Sequence, residues 1–177
     1  MKFLFALALI LTFSLGANAQ TKNIDYTKSA VSFVIKNAGL KVDGHFSSYT
    51  ATLVFDPTNL ATTHIEAEIK TTSITTGING RDNHLRKEEF FNVAKYPSMS
   101  FKVTSLKKVS AGNYMLFGKL TMKDVSKEVS MPMTVKTING IEVFEATLQL
   151  NRQDYHVGEN SWVMSDDVAI SIKIATK

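Results

Sequence analysis

The chain has 177 residues, 44% hydrophobic and 20% charged, with a formal net charge of +4 from 20 Lys+Arg against 16 Asp+Glu. That composition excludes a disordered tail protein and a multi-span membrane protein, and so small and dispersed a charge gives no argument for nucleic acid. Cysteine is absent, which excludes disulfides, cysteine-ligated metals, thiol nucleophiles and an N-terminal lipidated cysteine.

In chain order, residues 1–19 read as a secretory signal peptide. Lys2 supplies the positive start, Phe3 to Leu15 is a mostly apolar run, and Ala17-Asn18-Ala19 is a small-residue cut. The run is shorter than the roughly 20 apolar residues of a membrane span. The expectation is a mature domain of residues 20–177, periplasmic or secreted, with no stable membrane anchor.

Period-two alternation dominates the mature chain. It predicts strands near 30–37, 43–56, 63–73, 98–108, 113–123, 127–138, 141–151 and 167–176, with a short further one open at 23–27. Val31, Phe33 and Ile35 share one face of the first, and Val168, Ile170, Ile172 and Ile174 share one face of the last. A half-buried antiparallel strand requires this pattern. Asn37-Ala38-Gly39, Asp56-Pro57, Ala111-Gly112 and Lys123-Asp124 read as reversals, and Asn139-Gly140 as a type I′ hairpin. Pro132 donates no ladder hydrogen bond, so its strand is expected to be at an edge or bulged there.

Gly80 to Val93 breaks the rhythm. Its charge density predicts a helix over Asn83–Phe91, capped by Asp82, with Leu85 inward. Asp154 to Ser165 is a second irregular stretch and holds the single tryptophan, Trp162.

Strands with one apolar face must hide that face and their edges, and short reversals favour an up-and-down barrel over a sandwich. Eight strands leave an interior that is either packed or wide enough for one small ligand. The inward residues Phe33, Phe46, Phe55, Phe101, Met131, Met133 and Phe144 are long or aromatic and suit both.

Chemistry-bearing patterns are scarce. His45, His64, His84 and His156 have no metal-ligand spacing, and no Gly-x-Ser-x-Gly or phosphate loop occurs. Glu88-Glu89 and Asp166-Asp167 read as solvated charge or capping. Arg81-Asp82 reads either as a polar gate that meets a headgroup or as a local ion pair and helix cap. Arg152 reads as structural. An enzyme would need a long-range site around Arg81, Asp82 and His84.

Several segments in order carry a resemblance. They are Ser29-Ala-Val31-Ser-Phe33, Gly44-His45-Phe46, Phe55-Asp56-Pro57, Ser73-Ile74-Thr75-Thr76 with Arg81-Asp82-x-His84-Leu85-Arg86 and Phe90-Phe91, Tyr96-Pro97, Gly118-Lys-Leu120-Thr121-Met122, and Asn151-Arg152-x-Asp154 with Asp167-Val168. Together they resemble the YceI-like family of periplasmic polyisoprenoid-binding proteins, across residues 22–175. Asn37, Asn92 and Tyr155-His156 depart from the family pattern, and two of these departures lie near barrel ends.

The resemblance implies an all-β, eight-stranded antiparallel lipocalin-like barrel with a short helical segment over one end. It implies binding without turnover and without a cofactor. The implied ligand is apolar and lipid-like: an isoprenoid, a quinone, or a fatty acid or amide. A non-catalytic stress or interaction protein with a filled core is the alternative, and the sequence leaves a homodimer open. The expected lining is Phe33, Ile35, Phe46, Phe55 and Ile69, then Leu85, Phe101, Met131, Met133, Phe144 and Leu148, with Arg81 and His84 at the mouth.

Overall fold

The computed structural model describes residues 21–177, so the expected signal peptide lies outside the described residues. Ten antiparallel strands follow one another: β1 (Ala30–Asn37), β2 (Leu40–Phe46), β3 (Tyr49–Val54), β4 (His64–Lys70), β5 (Ile74–Thr75), β6 (Ser98–Ser110), β7 (Asn113–Met122), β8 (Val125–Ile138), β9 (Ile141–Asn151) and β10 (Met164–Ala175). One α-helix, α1 (Asn79–Leu85), separates β5 from β6. The hydrogen-bonded order is β3-β4-β6-β7-β8-β9-β10-β1-β2-β5.

Ten strands rather than eight arise at two corners: one splits an expected strand and the other ends a strand early and is followed by an unexpected short one. The 43–56 strand breaks at Ser47-Ser48 into β2 and β3; the 63–73 strand ends as β4 at Lys70, its last residues form a 3-10 turn, Thr71–Ser73, and the two-residue β5 follows beyond the expected range. The two corners lock together, with Ser47 N donating to Ser73 O at 3.2 Å and Lys70 N to Ser48 O at 3.0 Å. β2 runs on into β3 and β4 into β5, so the two ends of the hydrogen-bonded order are joined and the sheet curls into a barrel. Such corners bend a strand where a barrel must close, and alternation carries no trace of them because inward positions resume on the far side.

Residues 23–27 form no strand; Thr21 and Ile24 make isolated bridges to Val54 and Thr176. The Asn139-Gly140 turn has φ of 52° and 81°, and joins Ile138 directly to Ile141. Both positive values are those a type I′ turn needs. Pro132 pairs with Met115 of β7, whereas the β8–β9 ladder begins only at Met133. Its missing N–H therefore falls where β8 has no second neighbour. A bulge between Val103 and Ser105 shifts the inward phase of β6, so that Met99 and then Leu106 are both buried.

The helix is displaced from its expected place. It runs over Asn79–Leu85 rather than Asn83–Phe91, with Ile78 at the N-cap and no capping side chain. Asp82 is inside the first turn, where its carboxylate serves the preceding loop. From Arg86 to Tyr96 the chain makes successive turns, held by bonds such as Phe91 N to Leu85 O at 3.1 Å.

Candidate functional site: the barrel interior

Strand direction defines two ends. One end carries the β1–β2 turn, α1 and the β9–β10 connection, and the other carries the 138–141 turn and Phe55. At the second end Phe55 is buried and meets Tyr114 and Phe144 edge-on, each at 5.3 Å between ring centroids and 88° between planes. These three rings form a floor.

Above the floor is a cavity of about 410 Å3 to which every strand contributes at least one side chain. That size falls within the range of small-molecule sites. Its walls are unequal. Met131, Met133 and Phe144 on β8 and β9 are buried against their neighbours. Phe33, Ile35, Ile170 and Ile172 also face inward, yet stay only half-buried. Ile65 and Ala67 on β4 and Phe101 on β6 are half-buried too. Inward apolar side chains left uncovered are adjacent to space, so the hollow reaches from β1 and β10 across to β4 and β6.

Two glycines give the aromatic wall its room. Phe33 pairs with Gly44 on β2, and its ring lies where a Cβ would stand, 2.3 Å from the built position. The Phe101 ring covers Gly118 in the same way at 2.5 Å. With no side chain beneath them the rings lie back against the sheet, leaving the axis open.

All the side chains expected from the sequence to line the interior border this cavity except Phe55. Phe55 lies under Phe144 as part of the floor, because it follows the end of β3 where the barrel is already filled. Others went unassigned by sequence reasoning: Phe90, Phe91, Val157 and the inward face of β10. The alternation of β10 could have found Ile170 and Ile172. No local pattern marks Val157, which is brought in by a non-repetitive loop.

Polar atoms gather at the mouth. Asn37, Thr76, Arg81, His84, Arg152 and Ser161 border the cavity there. Arg81 makes no ion pair with Asp82; its Nε donates to Thr76 Oγ1 at 2.7 Å and its Nη2 to Thr76 O at 3.0 Å. Asp82 is buried and accepts from Thr76 N at 2.7 Å, Thr76 Oγ1 at 2.5 Å and Thr75 Oγ1 at 3.0 Å. The expected local ion pair and N-cap are thus replaced by two side chains that brace one loop, because residues 75–78 leave the barrel wall with unpaired backbone groups. Burial works against the Asp82 charge, but the Thr76 and Thr75 hydrogen bonds and the Arg86 charge outweigh it and hold the carboxyl below its ordinary range.

Arg86 pins α1 to the wall, donating to Thr72 O at 2.9 Å and Ile74 O at 2.7 Å. Its partners are backbone carbonyls exposed where the 3-10 turn interrupts the ladder. His84 is exposed, 3.0 Å from Glu89 and edge-on to Phe90. Arg152 is buried and spans the β9–β10 connection, bonding Val157 O at 2.9 Å, Ser165 O at 3.0 Å and Asp166 Oδ1 at 2.8 Å. Its hydrogen bonds are thus spent within the protein.

The sequence that folds into this barrel matches a family model. The YceI-like domain model covers residues 23–176. The chain belongs to the YceI-like family. A UPF0312 protein of Yersinia enterocolitica is 30% identical over 152 residues, covering 81% of this chain and 78% of the relative. The crystal structure of Burkholderia cenocepacia BcnA superposes with a TM-score of 0.83 at 25% identity, covering 88% of this chain and 100% of that one. A polyisoprenoid-binding domain from Saccharophagus degradans, described as implicated in plant cell wall breakdown, gives a TM-score of 0.69 at 17% identity, covering 87% of this chain and 96% of that one. At that identity the likeness is one of fold. This YceI-like chain therefore shares its fold with these proteins.

Proposed function

We propose that the protein binds and carries a long apolar molecule, an isoprenoid, a quinone or a fatty acid or amide, inside the barrel without transforming it. The observation that carries this reading is the hollow itself: about 410 Å3 of space bordered by inward apolar side chains, among them Phe33, Ile35, Ile170 and Ile172, that stay only half-buried. Such exposed apolar surface costs free energy until something covers it. Each CH2 transferred from water contributes about 0.8 kcal/mol, so a tail of about ten carbons contributes roughly 8 kcal/mol before ordering costs. A single neutral headgroup hydrogen bond adds about 1 kcal/mol net. Tail burial sets affinity; Arg81 and His84 at the mouth set orientation. The Saccharophagus degradans domain of the same fold is described as polyisoprenoid-binding, which agrees with a tail of this kind.

In this reading the lining is Phe33, Ile35, Phe46, Ile69, Leu85, Phe101, Met131, Met133, Phe144 and Leu148, above the Phe55 floor. Methionines adapt to irregular chains, which gives breadth of chain selection. The working unit is the domain of residues 20–177, exported after removal of residues 1–19. Among the described residues no helix is long and apolar enough to cross a membrane. Native mass spectrometry of protein purified from its own host tests the reading. The expected result is an added lipid-like mass that organic extraction removes. Protein that is empty as isolated, and that takes up no apolar fluorescent probe, would overturn it.

A further inference from the structure

Seven large apolar or aromatic side chains are exposed among the described residues, and four of them surround the mouth of the cavity. Leu40 begins β2 at the β1–β2 turn and is 72% exposed. Trp162 and Val163 belong to the β9–β10 connection, and Trp162 is fully exposed. Ile78 is the N-cap of α1. The turn and the connection touch, since Ala38 N donates to Val163 O at 2.6 Å. Ser161 and Met164, adjacent to Trp162 and Val163, border the cavity, as do Thr76 and Arg81, within three residues of Ile78. The other three, Tyr26, Val109 and Ile138, are at the floored end. Apolar side chains thus crown the one end that opens.

We propose that this rim docks reversibly on the surface of a lipid bilayer, with Leu40, Ile78, Trp162 and Val163 inserted among the headgroups and the cavity mouth turned to the membrane. Trp is an amphipathic ring suited to that interface. Four side chains on loop tips offer roughly a few hundred Å2, well below the ~800 Å2 per partner of a stable protein interface. A second copy is therefore a poor occupant, whereas shallow insertion needs no complementary surface. Lys36 and Lys41 flank Leu40, are exposed and make no ion pair among the described residues. They add attraction to anionic headgroups, but the rim also carries acidic residues such as Glu159 and Asp167, so insertion rather than charge dominates. Docking would pass an apolar chain between bilayer and barrel without crossing water. That purpose rests on the carrier reading above; the docking does not.

Trp162 is the only tryptophan, so its emission reports the contact directly. Phosphatidylcholine vesicles, with and without phosphatidylglycerol, are titrated into the protein at low and high salt. The expected result is a blue shift in both lipid mixtures, quenched more by bromines near the headgroups than by bromines deep in the chains. A Leu40→Ser, Val163→Ser variant keeps the reporter and should weaken vesicle binding about tenfold, with unchanged melting and unchanged probe uptake without vesicles. No shift at saturating lipid, in protein that still takes up an apolar probe, overturns the proposal. A shift that grows with protein concentration without lipid assigns the rim to a second copy and also overturns it. A lipid-dependent shift in protein that takes up no probe leaves the docking standing and removes the carrier reading.

Discussion

At the scale of single residues, the interior depends on side chains that are missing as much as on those present. Gly44 and Gly118 both lie beneath aromatic rings, but their surroundings differ. The three atoms nearest a Cβ at Gly44 all belong to the Phe33 ring, the first at 2.3 Å, and that ring borders empty space into which it can turn. Gly44→Ala should therefore cost about 1 kcal/mol or less while lowering apolar-probe affinity several-fold, because Phe33 then occupies ligand space. A Cβ at Gly118 also meets the Lys102 carbonyl oxygen, at 2.7 Å, and backbone does not turn aside. Gly118→Ala should cost about 1–3 kcal/mol. Urea midpoints at constant m-value separate the two variants, and probe titration reads the cavity.

Asp82 supplies the residue-scale test of pH. Burial opposes its charge, yet the Thr76 and Thr75 bonds and Arg86 hold its carboxyl below the ordinary range. The native state therefore binds fewer protons than the unfolded chain at this position. The stabilisation is fully present above the unfolded value and is lost as pH falls through the lowered folded value. Asp82→Asn removes that acid-sensitive contribution and leaves Thr76 N with a poorer acceptor. The variant should be destabilised by about 1–3 kcal/mol at neutral pH and should show a flatter acid limb in stability against pH.

At the scale of elements, the strands were legible because most of each strand keeps one alternation, even where a bulge shifts its phase as in β6. Val168 to Ile174 alternates, and so do Phe144 to Leu150, and the observed strands contain both runs. The corners at 47–48 and 71–73 were not legible, because closure is a property of the sheet and leaves the local alternation of either half intact. The helix was misplaced for a related reason. Asp82 has the chemistry of an N-cap, but Thr75 and Thr76 are competing local donors, and they hold its carboxylate. With the cap given up, the helix starts earlier and ends at Leu85.

The placement of α1 has a kinetic consequence. Its attachment to the wall runs through Arg86, whose guanidinium bonds Thr72 O and Ile74 O. Arg86→Ala should loosen the segment beside the mouth. The expected outcome is a several-fold faster release of a bound apolar probe, with a stability loss of about 1.5–3 kcal/mol from bonds to a charged donor. Stopped-flow displacement measures the rate. An unchanged release rate in a destabilised variant would show that α1 does not gate the cavity.

At the scale of the whole molecule, one end is floored by rings and the other opens among polar and apolar side chains, so a bound chain has a fixed direction of entry and a fixed limit of depth. The Phe55–Tyr114–Phe144 floor sets that limit. Along a series of alkyl ligands with one headgroup, each added CH2 should tighten binding about fourfold while the tail still finds uncovered wall, the equivalent of about 0.8 kcal/mol. Past the floor, further carbons remain outside or must fold back, and the gain per CH2 should fall to near zero. Exchanging the headgroup at constant tail should change affinity by about tenfold or less if its contact is a single neutral hydrogen bond. Isothermal titration across the series distinguishes the cases, and the negative heat-capacity change should grow with tail length up to the same break. Affinity that ignores tail length but follows headgroup charge would move the site from the hollow to the mouth. Affinity that climbs without a break would mean that the three rings part and the barrel is a tube open at both ends.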